Sequence, residues 1–476
     1  MADVQPNGKR RLDGLVHLPP ALRPLLRAYL LAYLSTVAPR ILTMAGARLG
    51  TKSSTTEHSE SFARVLVRVV STGLEPHRFP TFCALLVGGS TLLHIPLHTI
   101  ITRTASHLSA TSRQRLSRWL ATFVAACISL RLLQSNQGSA SRLPPPADQD
   151  ANATKTAGRT LDLTLFALTQ ALDILVGQSW SCHKRRRIAS QSWTKSEQFV
   201  SAMVDPLCFV ASCAPIMWAW FYLPQTLPRG YNTWITSAAH VDQRLIKALR
   251  HCRKGELRYA EETGQAPLLG SMCNDLNLPY QWGDPAQTVP FPCEIVHMGS
   301  GPSCEYFALT RFCLSWKWSM CTYLPLALAL QLRNPSHKSL LRALLSASRS
   351  SAFLAAFITL FYYGVCLCRT RLGPLLIGTD VASRNHIDGG LCVGTGCFLC
   401  GWSVLIETAS RRKDMALFVA PRAMATLLPR RYSVEKQWRE TLVFAASTAV
   451  VFTCALENPK RVRGMMGGVL ALILRQ

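Results

Sequence analysis

The sequence predicts an all-α fold, a polytopic membrane helical bundle of two repeated blocks. Each block holds about four to five helices, giving eight to ten crossings in total. Three observations predict it. The chain has 476 residues, of which 49% are apolar and only 16% charged, where soluble domains carry about 25% charged residues. Apolar runs of membrane length recur along it. The order of those runs repeats, and a fixed internal order is the signature of duplication.

A helix needs about 20 mostly apolar residues to cross the hydrocarbon core. After a polar N-terminal tail (1–20), such runs are expected at 25–46, 79–101, 117–134, 160–177 and 199–223, forming a first block over 21–223. A mostly polar linker follows at 224–306. It contains an amphipathic stretch, 232–262, whose cationic side and Trp234 suit a membrane surface. Runs resume at 307–332, 350–368, 386–406, 413–428 and 440–456, the second block (307–476). The run at 413–428 is the weakest, with Pro421 and Arg422 at its centre.

The repeat rests on matched order. Matched stretches, 64–86 and 338–357, come before the second helix of each block. A helix rich in small residues comes next, then a helix after a polar loop, then a last helix. A basic, Gly-containing stretch closes each block, at 227–234 and 458–468. An odd number of crossings per copy inverts the second copy, and an even number keeps the copies parallel. Basic loops follow nearly every run, so the positive-inside rule does not choose an orientation.

Net charge is +26, from 52 Lys and Arg against 26 Asp and Glu. The basic residues stand between apolar runs, as in 183–187, 410–414 and 429–439. There they favour anionic headgroups at roughly 1 kcal/mol each. No stacking pattern or DNA-binding motif accompanies them, so nucleic acid is not an expected partner. The expected partners are membrane lipids, anionic headgroups included, with a homo-oligomer left open. Of the 17 cysteines, most lie inside apolar runs and act as small hydrophobes. Only Cys182, Cys252, Cys273, Cys293 and Cys304 fall in polar segments, which suits a reducing compartment. The first dozen residues hold no apolar core, so a cleaved secretory signal is not expected.

Four groups of residues carry the candidate chemistry. Cys293, His297 and Cys304 form a Cys-x3-His-x6-Cys box in "PFPCEIVHMGSGPSC" (290–304). Structural zinc wants four ligands, and here Glu294, Glu305 or the distant Cys273 would have to supply the fourth. A Cys293–Cys304 disulfide and a cysteine nucleophile are further readings of the same residues. The plainer one makes the box a polar turn against the bundle, a hinge into the second block. No cofactor, metal or catalytic residue is therefore expected. Asp162 and Asp173 fall on nearly the same helical face, with Arg131 in the preceding run as a pairing candidate. They form an intramembrane polar site, or they only cap the ends of a short helix. Gly390, Gly394 and Gly401 share one helical face with Cys397, as Ala121, Ala125 and Ser129 do in the first block. Small residues at that spacing let membrane helices approach closely. A nucleotide loop at 389–401 would need Lys-Ser or Lys-Thr after the glycines, which is absent. His94 and His98 stand one turn apart around Pro96, without an acidic third ligand.

The stretches "PCEIVHMGSGPSC", "YLPLALALQLR" (323–333) and 339–374 resemble the transmembrane protein 135 family, also called peroxisomal membrane protein 52-like. The lead-in at 263–285 is similar to its fungal branch. The resemblance covers about 265–430 and, more weakly through the repeat, 20–235. It implies a multi-pass protein of peroxisomal or mitochondrial membranes, active in lipid handling or organelle dynamics and not an enzyme. A distant similarity to the translocase-channel family of the mitochondrial inner membrane implies the alternative, a channel or pore for solutes or polypeptides. Two features depart from the family: the Cys/His box precedes only the second block, and Ala425 stands where the first block has Asp173.

Overall fold

The computed structural model describes residues 19, 22–50, 62–135, 156–331 and 336–474. The polar N-terminal tail therefore lies almost wholly outside the described residues. Among the described residues the fold is all-α apart from one short antiparallel pair, β1 (Thr156–Ala157) and β2 (Tyr432–Ser433). Among the described residues, eight helices are long and apolar enough to cross a membrane. Large apolar side chains point outward, including Leu42, Phe199, Leu375 and Leu427. Large apolar side chains exposed on long apolar helices are what lipid, rather than water, tolerates. The chain thus has the make-up of a multi-pass integral membrane protein.

It forms two compact units, Met1–His183 with Arg431–Gln476, and Lys184–Arg430. These boundaries differ from those of the expected blocks. The helix ending the first block groups with the second unit, and the last helices of the chain group with the first.

The first unit holds α1 (Arg23–Gly50), α2 (Phe62–Gly73), α3 (Phe79–Thr104), α4 (Ala110–Ser135) and most of α5 (Leu161–Ala189). α3 packs between α1 and α4, and it runs unbroken through Pro96. Ala121, Ala125 and Ser129 are buried on α4, and a Cβ added to Gly89 of α3 would stand 2.9 Å from that of Ala125. The small-residue face expected here does sit at a close helix–helix approach.

The second unit begins with α6 (Lys195–Tyr222), opened by a capping box in which the Thr194 amide donates to Glu197 at 2.8 Å. The expected amphipathic helix at 232–262 is two helices, α7 (Arg229–Ala239) and α8 (Gln243–Lys254). His240 at φ 43° turns the chain between them, Asp242 caps α8, and Gly255 at φ 74° ends it. Ile246 and Ala248 on α8 are buried, so its apolar face serves the core of this unit. α9 (Ala266–Asp275) and the single turn α10 (Cys293–Val296) complete the segment expected as a linker. α11 (Cys304–Gln331) lies along α12 (His337–Leu367). α12 continues through a π turn, Cys368–Leu372, into α13 (Gly373–Leu376). α14 (Val381–His386) leads through a second π turn, Ile387–Leu391, to α15 (Cys392–Cys400). α16 (Ala409–Leu427) packs on α6. Neither α11 nor α16 is among the eight apolar candidates, although runs at both places were expected to cross.

The remaining helices, α17 (Gln437–Glu457) and α18 (Gly464–Leu474), return to the first unit, where α17 packs against α4. Phe444 and Phe452 of α17 join Phe82, Leu86 and Leu130 in that unit's core.

Candidate functional site

The chemistry-bearing side chains of the second unit gather around the two π turns and the Cys/His box. π turns insert a residue into a helix and re-aim side chains, often at functional sites. Here the first carries Arg369 and the second carries Asp388. They form a two-point ion pair, Arg369 Nε to Asp388 Oδ1 at 2.7 Å and Arg369 Nη2 to Oδ2 at 3.0 Å, both side chains buried. The Tyr259 hydroxyl donates to Asp388 Oδ2 at 2.5 Å, and Arg369 Nη2 also donates to the Phe291 carbonyl at 3.2 Å. Burial, with the Asp388 charge second, raises the Tyr259 phenol well above its ordinary range, so it stays a donor. A cavity of about 60 Å³ beside the pair has room for little more than water.

The Cys/His box folds tightly. Cys293 starts α10 and His297 follows one turn later. Met298, Gly299 and Gly301 all have positive φ and reverse the chain, so that Cys304 opens α11. The donor atoms of Cys293, His297 and Cys304 lie within 4.8 Å of one another. The His297 ring is fully buried and stacks on Phe307, with centroids 4.5 Å apart. Its Nδ1 is 2.8 Å from the Gly301 carbonyl, which fixes the proton on Nδ1 and leaves Nε2 with a free lone pair. That Nε2 is 3.2 Å from the buried Sγ of Cys366, brought in by α12. Burial pushes the Cys293 thiol up to about 11 and holds the His297 imidazole below its ordinary value.

Two of the candidates named for a fourth position are engaged in other contacts: Glu305 pairs with Arg371, and Cys273 is buried in the apolar cluster of α8 and α9. All 17 cysteines are free thiols. The box is also not a hinge between bodies, because the segment before it and the helices after it belong to one compact unit.

Gly390, Gly394 and Gly401 are all turned toward α6, but they approach it unequally. Gly401 does serve close packing, since a Cβ there would meet the Val210 backbone of α6 at 2.8 Å. Gly390 sits in the second π turn at φ 151°, and with Gly394 it lines an open groove of about 590 Å³. Trp218, Arg253, His386 and Phe398 are among the side chains that line it. The Arg253 guanidinium lies over the Trp218 ring at 4.6 Å and donates to the Gly389 carbonyl at 3.3 Å. The residue that brings α15 onto α12 is Gly396, facing Gly364.

In the first unit, Asp173 pairs with Arg463 at 3.1 Å and not with Arg131, which is exposed. Arg463 immediately precedes α18, so the pairing depends on the chain's return, which sequence order conceals. Asp162 is exposed in the first turn of α5, where it favours the helix dipole. Sequence reading missed a second polar centre there. The buried Glu440 of α17 accepts from the hydroxyls of Thr160, Thr164 and Tyr432, and Gln134 donates to Thr160 at 3.0 Å. His94 and His98 lie ring to ring at 5.7 Å on α3.

No family model, curated protein or solved structure matches this chain.

Proposed function

We propose that this multi-pass protein acts without catalysis in lipid handling or organelle dynamics, in the peroxisomal membrane first and the mitochondrial membrane as the alternative. The observation that carries the lipid reading is the groove of the second unit. Arg253 sits at a wall of Trp218 and Phe398, over a floor of glycine backbone from Gly389, Gly390 and Gly394. A cation held over the Trp218 and Tyr222 rings at an open groove suits a phosphate-bearing headgroup, with the apolar helix faces beside it suiting acyl chains. The organelle rests on the resemblance of residues 265–430 to the transmembrane protein 135 family.

Purified full-length protein offered vesicles with and without phosphatidylserine tests the groove. Arg253→Ala is expected to lower capture of the anionic vesicles several-fold and leave neutral vesicles unaffected. Equal capture by both proteins counts against it. A tagged chain found only in the endoplasmic reticulum or plasma membrane would remove the organelle assignment. Solute leak from proteoliposomes, absent from empty ones, would favour the channel alternative.

A further inference from the structure

We infer that Cys293, His297, Cys304 and Cys366 together form a structural zinc site of the Cys3His type. The inference is independent of the lipid reading. The sequence offers an incomplete set, and the fold completes it with a thiol 69 residues from His297 along the chain.

Four observations converge on the same volume. Three donors already lie within 4.8 Å of one another, and the fourth, Cys366 Sγ, is 3.2 Å from His297 Nε2. A tetrahedral zinc with Zn–S near 2.3 Å and Zn–N near 2.1 Å sets donor–donor separations of about 3.6 Å; the His297–Cys366 pair already stands near that value, and Cys366 Sγ, which lies outside the mutual 4.8 Å set, moves in toward the box thiols when the ion binds. The second observation is the imidazole. Its Nδ1 is occupied by the Gly301 carbonyl, the outer-shell arrangement that orients a metal-binding histidine and presents its other nitrogen. Third, the donors are soft. Three thiols with one imidazole select zinc over magnesium or calcium, which take oxygen. Fourth, the set is closed: His297 and Cys366 are buried, and four protein donors leave no open position for substrate water. Without metal, the fully buried Nε2 of His297 has only a thiol, a weak partner, to satisfy it.

Binding would convert the three thiols to thiolates and release three protons to solvent, with no change of oxidation state. The ion would join the turn before α11 to α12, fixing the polar segment to the membrane helices.

The test is metal analysis of the purified full-length protein, produced with zinc chloride in the medium. About one zinc per chain is expected. Cys366→Ser and His297→Ala should each lower it at least fivefold, while Cys368→Ser, in the same helix run but outside the cluster, should keep it. Cobalt chloride exchanged into the unmutated protein gives a readout that needs no variant to fold. Intense tetrahedral bands with thiolate charge transfer are expected. A wild-type chain without zinc, full zinc in Cys366→Ser, an octahedral cobalt spectrum, or a mapped disulfide joining Cys304 to Cys293 or Cys366 would each overturn the assignment.

Discussion

At the scale of single residues, the second unit depends on one buried ion pair. Arg369 and Asp388 are both buried, and their contacts with Tyr259 and the Phe291 carbonyl satisfy most of their remaining polar capacity. Taking two charges out of water costs several kcal/mol per ion, offset only by good geometry and extra hydrogen bonds. Removing one partner strands the other. Asp388→Asn is therefore expected to destabilise the protein by about 3–5 kcal/mol, read as a large fall in the thermal midpoint in detergent. Arg369→Met with Asp388→Leu should lose less than Asp388→Asn alone. An unchanged midpoint for Asp388→Asn would show that the pair contributes nothing. The pair was not legible in the sequence, because Arg369 ends one apolar run and Asp388 begins another. The fourth cysteine was hidden for a related reason. Cys366 stands inside an apolar run, where cysteine ordinarily serves as a small hydrophobe, and only the chain reversal at Met298, Gly299 and Gly301 brings the box to it.

At the scale of elements, the apolar runs were legible and the faces they present were less so. Length and composition alone located eight spans, because a helix in lipid must satisfy its own backbone and stay apolar. Assigning faces by four-residue spacing assumes an uninterrupted 3.6-residue period. Gly390, Gly394 and Gly401 do keep one side, all turned to α6 through Trp218 and Val210, but the π turn at Ile387–Leu391 leaves an open groove at Gly390 and Gly394, and the close contact with α12 is made on another side by Gly396. On α4, where nothing interrupts the helix, Ala121, Ala125 and Ser129 are all buried as the spacing predicts. The two glycines should then separate by experiment. A Cβ at Gly396 would stand 2.7 Å from the Phe361 carbonyl, whereas at Gly394 its nearest neighbour is 3.8 Å away on Trp218. Gly396→Ala is expected to cost about 1–3 kcal/mol through overpacking, and Gly394→Ala almost nothing. The reverse order of thermal midpoints would refute this packing.

At the scale of the whole molecule, the units do not follow the order of the chain. The sequence suggests two consecutive blocks, and a duplication that remains a proposal. In the fold, the last helix of each expected block joins the unit built mainly from the other: α6 packs on α15 and α16, and α17 packs on α4. Matched apolar order cannot reveal this, because composition records which residues avoid water and not which helix they meet. The polar contacts do record it. Glu440 of α17 is held by Thr160 and Thr164 of the first unit, and Arg463 before α18 is held by Asp173. Removing residues 431–476 would strip the first unit of Phe444 and Phe452 from its core and leave those hydroxyls without their carboxylate. The second unit, contiguous from Lys184 to Arg430, loses nothing internal to it. Limited proteolysis of the truncated chain in detergent should therefore open new cuts between residues 62 and 183 and leave the pattern within 184–430 unchanged. Unaltered protection of the first unit, or cuts spread evenly over both, would mean that α17 is not part of its core.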